Sequence, residues 1–213
     1  MTPLTVILTA FNRLEYTKRT LNSLLRTVPQ ARIIIYDSAS TEEGMQEWLK
    51  SVIGPNIEVV FGAVNNGWGY AVNNTFYYMN LATPVVQGME MLTYRDQWVL
   101  ISNNDVEYHD GWFEKLVALY EKYLDVGLMA VWKHTNHGVL EDRGDLVVKD
   151  QMPAVGWLFR RNVLDGLGDF PEHGPCHTKG GNGEDVQVCI KVDKLGLKVA
   201  APTEDVAFHF DGY

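Results

Sequence analysis

Basic residues are scarce in this chain. It has 18 Lys and Arg against 27 Asp and Glu in 213 residues, a formal net charge of −9. Nucleic-acid-binding proteins usually carry a basic face that displaces counterions from phosphates. Lys and Arg form only pairs here, such as Lys18-Arg19 and Arg160-Arg161, so we do not expect a nucleic acid as partner. An acidic protein can still bind a phosphorylated small molecule, most easily through a divalent metal that masks the ligand's charge.

Long apolar runs and cysteines are also lacking. No apolar run approaches the ~18 residues of a membrane-spanning helix, so no membrane span is expected. The opening MTPLTVILTAFNR has neither a basic leader nor a small-residue cleavage site, and no signal peptide is expected. Cys176 and Cys189 are the only cysteines. Two cysteines do not make a disulfide framework, and the expected location is the cytoplasm.

Strands and helices alternate along the first 130 residues. Short apolar, β-branched runs predict buried strands at Leu4–Thr9, Arg32–Tyr36, Ile57–Phe61 and Gln97–Ile101. Helices are predicted after Asn12 as a cap, after the capping pattern Ser40-Thr41-Glu42-Glu43, over Gly69–Leu81 and over Gly111–Tyr123. This alternation predicts an α/β fold with a mostly parallel central sheet.

The pattern changes after residue 130 without a linker. A hairpin is predicted around Asp142-Arg143-Gly144, a long Gly- and Pro-rich loop over 166–183, and a helix over Glu184–Leu195. Strands are predicted at Ala154–Phe159, Leu197–Ala200 and Val206–Phe210. We therefore expect residues 1–213 to form one domain, with a first part over 1–130 and a smaller mixed part over 131–213.

Polar residues follow all four predicted strands of the first part. They are Thr9-Ala10-Phe11-Asn12, Asp37-Ser38, Asn65-Asn66-Gly67 and Asn103-Asn104-Asp105. Open α/β sheets bind ligands at the carboxyl ends of their strands. These residues are therefore expected to line one crevice.

The segment Asn103-Asn104-Asp105 has two interpretations. Asn and Asp favour turns, so an Asx turn that ends the strand would explain it. The alternative is a metal and ribose site, because Mg²⁺ or Mn²⁺ typically binds one or two carboxylates together with substrate phosphates. A single Asp at a strand end suits that chemistry.

Two acidic residues begin the predicted helix at 184. Glu184 and Asp185 would favour the helix dipole in any protein. They follow the glycine-rich Gly180-Gly181-Asn182-Gly183, and a carboxylate there could instead accept a proton from an incoming hydroxyl.

His209 lies between Phe208 and Phe210 in the last predicted strand, so its side chain faces away from theirs. A lone strand His is commonly structural, and a ligand role requires that this face meet Asp105. His173, Cys176 and His177 match no four-ligand zinc site.

Trp68 and Trp157 each follow a glycine. We expect core packing for Trp68. For Trp157, with Gly156, we favour an aromatic platform that binds the acceptor.

Taken in order, the motifs resemble the inverting family 2 glycosyltransferases of the GT-A fold. The resemblance runs from Val6 to about His209. It is carried by VILTAFNRLEYTKRTLNSLL, IIIYDSAST, NNGWGYAVNNTF, VLISNNDVEYHDGWFEKLV, AVGWLFRRNVLDGLGDFPE and GEDVQVCIKVDKLGLKV. It implies a single Rossmann-like GT-A domain, with donor binding in 1–130 and the acceptor and catalytic residues in 131–213.

The resemblance also implies roles for single residues. Asp105 would bind the metal on the donor diphosphate, and His209 would be the C-terminal metal ligand. Asp185 would be the general base, and Glu184 would orient the acceptor. The implied donor-binding residues are Thr9, Ala10, Phe11, Asn12, Asp37, Asn66, Gly67, Asn103 and Asn104. Two positions depart from the family pattern: Thr9-Ala10-Phe11-Asn12 replaces the commoner Pro-x-Tyr-Asn, and Asn103 stands where many members have Asp.

The function expected on these grounds is sugar transfer from a nucleotide-sugar donor to an acceptor hydroxyl, with Mn²⁺ or Mg²⁺ as cofactor. A nucleotidyltransferase is an alternative, although Thr5–Arg13 lacks its usual Gly- and Lys-rich phosphate loop. A catalytically silent sugar-nucleotide-binding module is another, against which Glu184 and Asp185 count. No residue separates UDP, dTDP and GDP donors, and the acceptor stays open.

Overall fold

A nine-stranded sheet organises the chain. The computed structural model describes residues 3–82, 98–133, 138–172 and 183–210. Its strands are β1 (Leu4–Ala10), β2 (Arg32–Asp37), β3 (Ile57–Phe61), β4 (Trp98–Asn103), β5 (Val106–Tyr108), β6 (Val126–Ala130), β7 (Val139–Asp142), β8 (Leu146–Lys149), β9 (Gly156–Arg160), β10 (Lys198–Pro202) and β11 (Ala207–His209). Its helices are α1 (Leu14–Thr27), α2 (Met45–Ser51), α3 (Trp68–Ala82), α4 (Trp112–Lys122), α5 (Arg161–Leu167) and α6 (Glu184–Lys194).

The strand order in the large sheet is β3-β2-β1-β4-β9-β6-β10-β8-β7. The pairs from β3 to β4 are parallel, as expected for the first part of the chain. β9 then inserts antiparallel between β4 and β6, and the β7–β8 hairpin is antiparallel as well. The α/β fold class is confirmed, and the sheet as a whole is mixed.

Both faces of the sheet are buried. Successive residues of a strand point to opposite faces. In β1, Val6 and Leu8 therefore pack with α1 and α4, whereas Ile7 packs with α3, α5 and α6 on the other face. Burial on both sides explains why β1, β2 and β4 are nearly continuous apolar runs.

A second, two-stranded sheet lies beside the carboxyl end of β4. β11 pairs antiparallel with β5, which places His209 opposite Val106. The backbone N–H of Phe210 donates to the Asp105 carbonyl at 2.9 Å. The last described strand is thereby fixed next to the Asn103-Asn104-Asp105 segment.

Two predicted helix starts are wrong. Asn12 does not cap α1, because its Oδ1 accepts hydrogen bonds from the Thr41 and Glu42 backbone N–H groups at 2.8 and 3.0 Å. Ser40 does not begin α2, because its hydroxyl accepts from the Asn12 backbone N–H at 2.7 Å, and the helix begins at Met45. Both side chains link the ends of β1 and β2 instead.

The hairpin predicted around Asp142-Arg143-Gly144 is confirmed by the β7–β8 pairing. Of the predicted loop over 166–183, residues 166 and 167 belong to α5. Residues 173–182, which include His173, Cys176 and His177, lie outside the described residues, as does Gln97. Among the described helices, none combines the length and the apolar character that crossing a bilayer requires.

Candidate functional site

All four polar strand ends meet at one cavity of about 270 Å³. It is lined by Thr9, Ala10, Phe11, Ser38, Asn65, Gly67, Trp68, Asn103, Asn104 and Asp105. The segments after β1, β3 and β4 contribute most of this lining, and Ser38 represents the end of β2. The prediction of one crevice at the carboxyl ends of the strands is confirmed.

The segment after β1 is held in an uncommon backbone conformation. Asn12 and Arg13 have φ values of 53° and 57°, in the left-handed region that residues other than glycine seldom adopt. The hydrogen bonds of Asn12 with Ser40, Thr41 and Glu42 hold the turn in place. Phe11 is left 44% exposed at the cavity, so one part of its ring is available to a ligand.

Asn104 holds the same segment from the other side. Its buried Nδ2 donates to the Asn12 carbonyl at 2.9 Å and to the Thr17 hydroxyl at 2.8 Å. Asn103, at the end of β4, accepts from the Thr9 hydroxyl at 3.4 Å. Asn104 therefore shapes the cavity through its amide nitrogen as well as lining it.

Asp37 and Asn66 stand beside the cavity lining. Asp37 is fully buried, and its Oδ1 accepts from the Ser40 backbone N–H at 3.1 Å. Its Oδ2 is buried and has no hydrogen-bond donor among the described residues. Asn66 is exposed, whereas its neighbours Asn65 and Gly67 line the cavity.

Asp105 and His209 lie together, as a metal role for His209 requires. The Nε2 atom of His209 is 3.4 Å from Oδ1 of Asp105. Both residues are buried, with His209 6% exposed and Asp105 8% exposed. The His209 ring packs on Trp132, with centroids 5.5 Å apart. The strand pairing of β11 with β5 therefore brings a carboxylate oxygen and an imidazole nitrogen to one point.

Arg13 occupies the other oxygen of the same carboxylate. Its Nη1 is 2.9 Å from Oδ2 of Asp105. Oδ1 of Asp105 is buried and accepts no hydrogen bond within the described part of the chain. The carboxylate thus presents one oxygen to a guanidinium and the other towards His209.

This arrangement fits a divalent cation. The described residues contain no group of three or more His, Cys, Asp or Glu side chains around a common point. Two protein ligands suffice for Mg²⁺ or Mn²⁺, because these ions often complete their shell with substrate phosphates and water. Oδ1 of Asp105, which accepts no hydrogen bond among the described residues, and Nε2 of His209 supply such a pair of ligand atoms.

The end of β4 is supported from below by Tyr108. The Tyr108 hydroxyl donates to the Ser102 hydroxyl at 2.8 Å, and Ser102 donates to the Asn103 carbonyl at 2.9 Å. Burial raises the pKa of Tyr108 well above its usual range, and the negative charge of Asp105 adds to this effect. The phenol therefore stays protonated and keeps donating.

Glu184 and Asp185 begin α6, as predicted, but neither lines the cavity. Oε2 of Glu184 accepts from the Gly69 backbone N–H, at the start of α3, at 3.3 Å. Oδ1 of Asp185 accepts from the Val186 backbone N–H at 2.8 Å. Glu184 thus connects the first turn of α6 to the first turn of α3, where Trp68 and the preceding Gly67 line the cavity.

The expected acceptor platform does not match the structure. Trp157 is fully buried, and its Nε1 donates to the Pro153 carbonyl at 2.9 Å. It packs edge-to-face with Trp68, at 5.4 Å between centroids. A Cβ on Gly156 would lie 2.7 Å from a Val131 methyl, so close packing explains that glycine. β9 is a central strand with both faces covered, and Trp157 belongs to the core, against which the partly buried Trp68 packs.

Sequence reasoning missed Arg13, Trp132 and Asn73. Arg13 directly follows the first polar strand end, which is the one sequence signal for it. Trp132 reaches His209 only through the fold. Asn73 lies on α3 and forms hydrogen bonds to residues 97 and 99 positions away along the chain, which no local pattern reveals.

Comparison with known proteins relates the chain to sugar transferases. The profile of Glycosyl transferase family 2 matches residues 5–178. No curated protein sequence matches the chain. Among solved structures, GalNAc-T7 with UDP, GalNAc and Mn²⁺ superposes with a TM-score of 0.72 at 14% identity, covering 99% of this chain and 44% of that one.

Two further structures are similar. The mannosyltransferase PcManGT from Pyrobaculum calidifontis, with GDP-Man and Mn²⁺, has a TM-score of 0.67 at 16% identity. The alignment covers 97% of this chain and 56% of PcManGT. TarS 1-349 of S. aureus, with UDP-GlcNAc, has a TM-score of 0.65 at 16% identity, and the alignment covers 96% of this chain and 57% of TarS 1-349. The chain therefore spans about half the length of these proteins, and the likeness establishes a shared fold.

Proposed function

Because this chain belongs to glycosyl transferase family 2, we propose that it transfers a sugar from a nucleotide-sugar donor to an acceptor hydroxyl, with inversion at the anomeric carbon. One observation carries the proposal: Asp105 and His209 meet at 3.4 Å beside the cavity formed by the strand ends. We assign donor binding to residues 1–130 and acceptor binding to residues 131–213.

Oδ1 of Asp105 and Nε2 of His209 would hold Mn²⁺ or Mg²⁺ at this cavity. The bound cation would stabilise the negative charge that develops on the departing diphosphate. Arg13 keeps Oδ2 of Asp105 engaged at 2.9 Å, which orients Oδ1 and adds a positive charge beside the phosphates. Ligand-orienting partners of this kind commonly tune metal sites.

The donor nucleotide would lie along the ends of β1 and β2. The exposed part of Phe11 offers an apolar surface to a base. Oδ2 of Asp37 is buried and has no hydrogen-bond donor among the described residues. It would accept a hydrogen bond from a base N–H once the segment after β2 adjusts. A buried acceptor without a donor costs ~1–3 kcal/mol, and a base N–H would remove that cost. UDP-, dTDP- and GDP-sugars all carry such an N–H, and we propose these three classes as donors.

Asp185 would act as the general base. It lies in the first turn of α6, next to Glu184, and Glu184 is bonded to the wall of the donor cavity through Gly69. A carboxylate there can accept the acceptor's hydroxyl proton as the oxygen attacks the anomeric carbon. One displacement on the face opposite the diphosphate inverts that carbon.

The test is transfer by Asp185→Asn, which keeps the shape of the side chain and removes the proton acceptor. General-base catalysis contributes about 10²–10⁴-fold, so the transfer rate should fall by that factor. Affinity for nucleotide with Mn²⁺ should stay close to wild type, because Asp105, His209 and Phe11 are unchanged. Asp193→Asn, at an exposed position of the same helix, is the matched control and should transfer at the wild-type rate.

The competing explanation is that Asp185 only favours the dipole of α6. In that case Asp185→Asn would lose about 0.3–1 kcal/mol of stability and keep its activity. A folded Asp185→Asn protein with near wild-type transfer would remove Asp185 as the base. Absence of transfer by the wild-type protein, across UDP-, dTDP- and GDP-sugars with Mn²⁺, would count against the proposed function itself.

A further inference from the structure

Asn73, on the second turn of α3, is bonded to the segment that follows α5. Its Nδ2 donates to the Phe170 carbonyl at 2.9 Å, and its Oδ1 accepts from the Phe170 backbone N–H at 2.7 Å. Nδ2 also donates to Oε1 of Glu172 at 2.8 Å. One side chain thus satisfies both backbone groups of Phe170, as a neighbouring strand would, and fixes that segment against α3.

The packing around these bonds is close. A Cβ on Gly69 would lie 1.9 Å from the Pro171 carbonyl oxygen, so the two backbones are in direct contact. The Phe170 ring lies edge-to-face on Trp68 at 5.6 Å and stacks on Phe76 at 6.0 Å. Contacts of this kind leave residues 170–172 little freedom to shift along α3.

α6 is tied to the same unit at two places. Lys191 donates through Nζ to the Leu167 carbonyl at 3.3 Å and also to the Asp169 carbonyl. At the other end of α6, Glu184 accepts from the Gly69 backbone N–H. The end of α5, residues 168–172 and α6 therefore dock on α3 together.

The start of α3 consequently has two neighbours. On one side Trp68 and the preceding Gly67 line the donor cavity. On the other side Gly69 in the first turn and Asn73 in the second turn hold the unit that carries Asp185. The position of Asp185 relative to a donor in the cavity is set across this part of α3.

We propose that Asn73 is a positioning residue, which places Asp185 relative to the donor by anchoring Phe170 and Glu172 to α3. The inference rests on the proposed function, since it assumes that Asp185 is the base. It assigns Asn73 no contact with donor or acceptor. Misplacing a reacting group by about 1 Å can cost about 10² in rate, so loss of this anchor should reduce turnover far more than binding.

The first experiment compares Asn73→Ala with Asn74→Ala. Asn74 is the matched control, because it is the next residue on α3 and, within the described part of the chain, its Nδ2 donates only to the Tyr70 carbonyl of the same helix, at 2.8 Å. For Asn73→Ala we expect kcat for transfer to fall by about 10²-fold, with the Kd for UDP or GDP plus Mn²⁺ within about threefold of wild type. Asn74→Ala should match wild type in both.

A double-variant cycle with Asp185→Asn separates positioning from general loss of structure. If Asn73 acts through Asp185, Asn73→Ala combined with Asp185→Asn should be no slower than Asp185→Asn alone, because the two changes remove one function. Rate losses that multiply in the double variant would overturn the proposal. So would a kcat for Asn73→Ala within about threefold of wild type.

Glu172→Ala provides a second variant should Asn73→Ala fail to fold. It removes one of the three bonds, and we expect kcat to fall about fivefold, the effect of one hydrogen bond, again with no further loss on top of Asp185→Asn. A wild-type rate for Glu172→Ala, with Asn73→Ala unfolded, would overturn the proposal. A wild-type protein without transfer, or an active Asp185→Asn, would instead contradict the proposed function.

Discussion

Gly69→Ala tests the contact between α3 and the segment after α5 without touching any charged group. The new Cβ would lie 1.9 Å from the Pro171 carbonyl oxygen and 2.8 Å from its carbon. Real Cβ contacts essentially never fall below 3.0 Å, so one backbone must move by at least about 1 Å. Both partners are backbone, and no side-chain rotation can relieve the overlap.

The expected cost follows from that overlap. Forcing an extra methyl group into a packed site typically costs about 1–3 kcal/mol. Alanine regains some of this through helix propensity, which is worth up to about 1 kcal/mol in a helix interior and less in a first turn. We expect a net destabilisation of about 1–2 kcal/mol. In a chain of this size each kcal/mol lowers Tm by about 2–4 °C.

Gly166→Ala is the matched control. Gly166 lies in α5, and its Cβ would be 3.4 Å from a terminal methyl of Leu195, which is the flexible end of a side chain. The same substitution should therefore leave Tm unchanged or raise it. Thermal unfolding followed by circular dichroism measures both variants.

Activity gives Gly69→Ala a second readout. A shift of the Gly69 backbone would strain the bond from Gly69 to Glu184, and a shift of Pro171 would strain the bonds between Asn73 and Phe170. Transfer should therefore fall along with Tm, while Gly166→Ala keeps the wild-type rate. A Gly69→Ala protein as stable as wild type would refute the steric reasoning, since it would show that α3 and residues 170–172 are not in contact in solution.

Two further outcomes are expected. Calorimetry should show that UDP and GDP bind the wild-type protein more tightly with Mn²⁺ than with EDTA. Asp105→Ala should abolish this difference in affinity, and His209→Ala should reduce it. Equal affinity of the wild-type protein in both buffers would exclude the metal role. Burial raises the pKa of the Cys189 thiol to about 12, and only the thiolate form of a cysteine is alkylated. In a Cys176→Ser background at about pH 8, alkylation of Cys189 should therefore be at least about 10²-fold slower in the native protein than in the urea-unfolded protein. Equal alkylation rates would show that Cys189 is not buried.

The strands with continuous apolar runs were predictable because their signal is local. β1, β2, β3 and β4 lie where hydrophobic runs predicted them, within two residues at each described end. β5 was not predicted, because Val106–Tyr108 is short and its partner β11 lies about 100 residues away. A mixed second part was predicted, but the insertion of β9 between β4 and β6 was not, since it depends on nonlocal pairing.

The capping patterns failed for a related reason. Asn12 and Ser40 have side chains suited to cap helices, and each was assigned to the helix that follows it. In the fold the ends of β1 and β2 are adjacent, and Ser38 N–H already donates to the Ala10 carbonyl at 2.8 Å. Asn12 and Ser40 satisfy backbone groups across that junction instead, and this nonlocal neighbour cannot be read from the local sequence.

The candidate site shows the same division. Sequence alternation predicted that His209 faces away from Phe208, and the structure agrees, with Phe208 exposed and His209 buried. Alternation cannot predict what that face meets, and the pairing of β11 with β5 decides it. The prediction that Trp157 is a ligand platform was wrong. A tryptophan beside a glycine is compatible with a ligand platform or with a tightly packed core, and only the central position of β9 in the sheet distinguishes the two.

The charge balance of the site explains why a cation and Arg13 are both needed on the proposed function. Asp105 is the one charged side chain among the described residues that line the cavity. A diphosphate would bring further negative charge to a carboxylate that is 8% exposed, and like charges repel more strongly where water is excluded. Arg13, with its side chain 49% exposed, neutralises one carboxylate oxygen. On the proposed function, the other oxygen, together with His209, would recruit the divalent charge that a guanidinium alone does not supply, and an acidic chain could in this way bind a diphosphate.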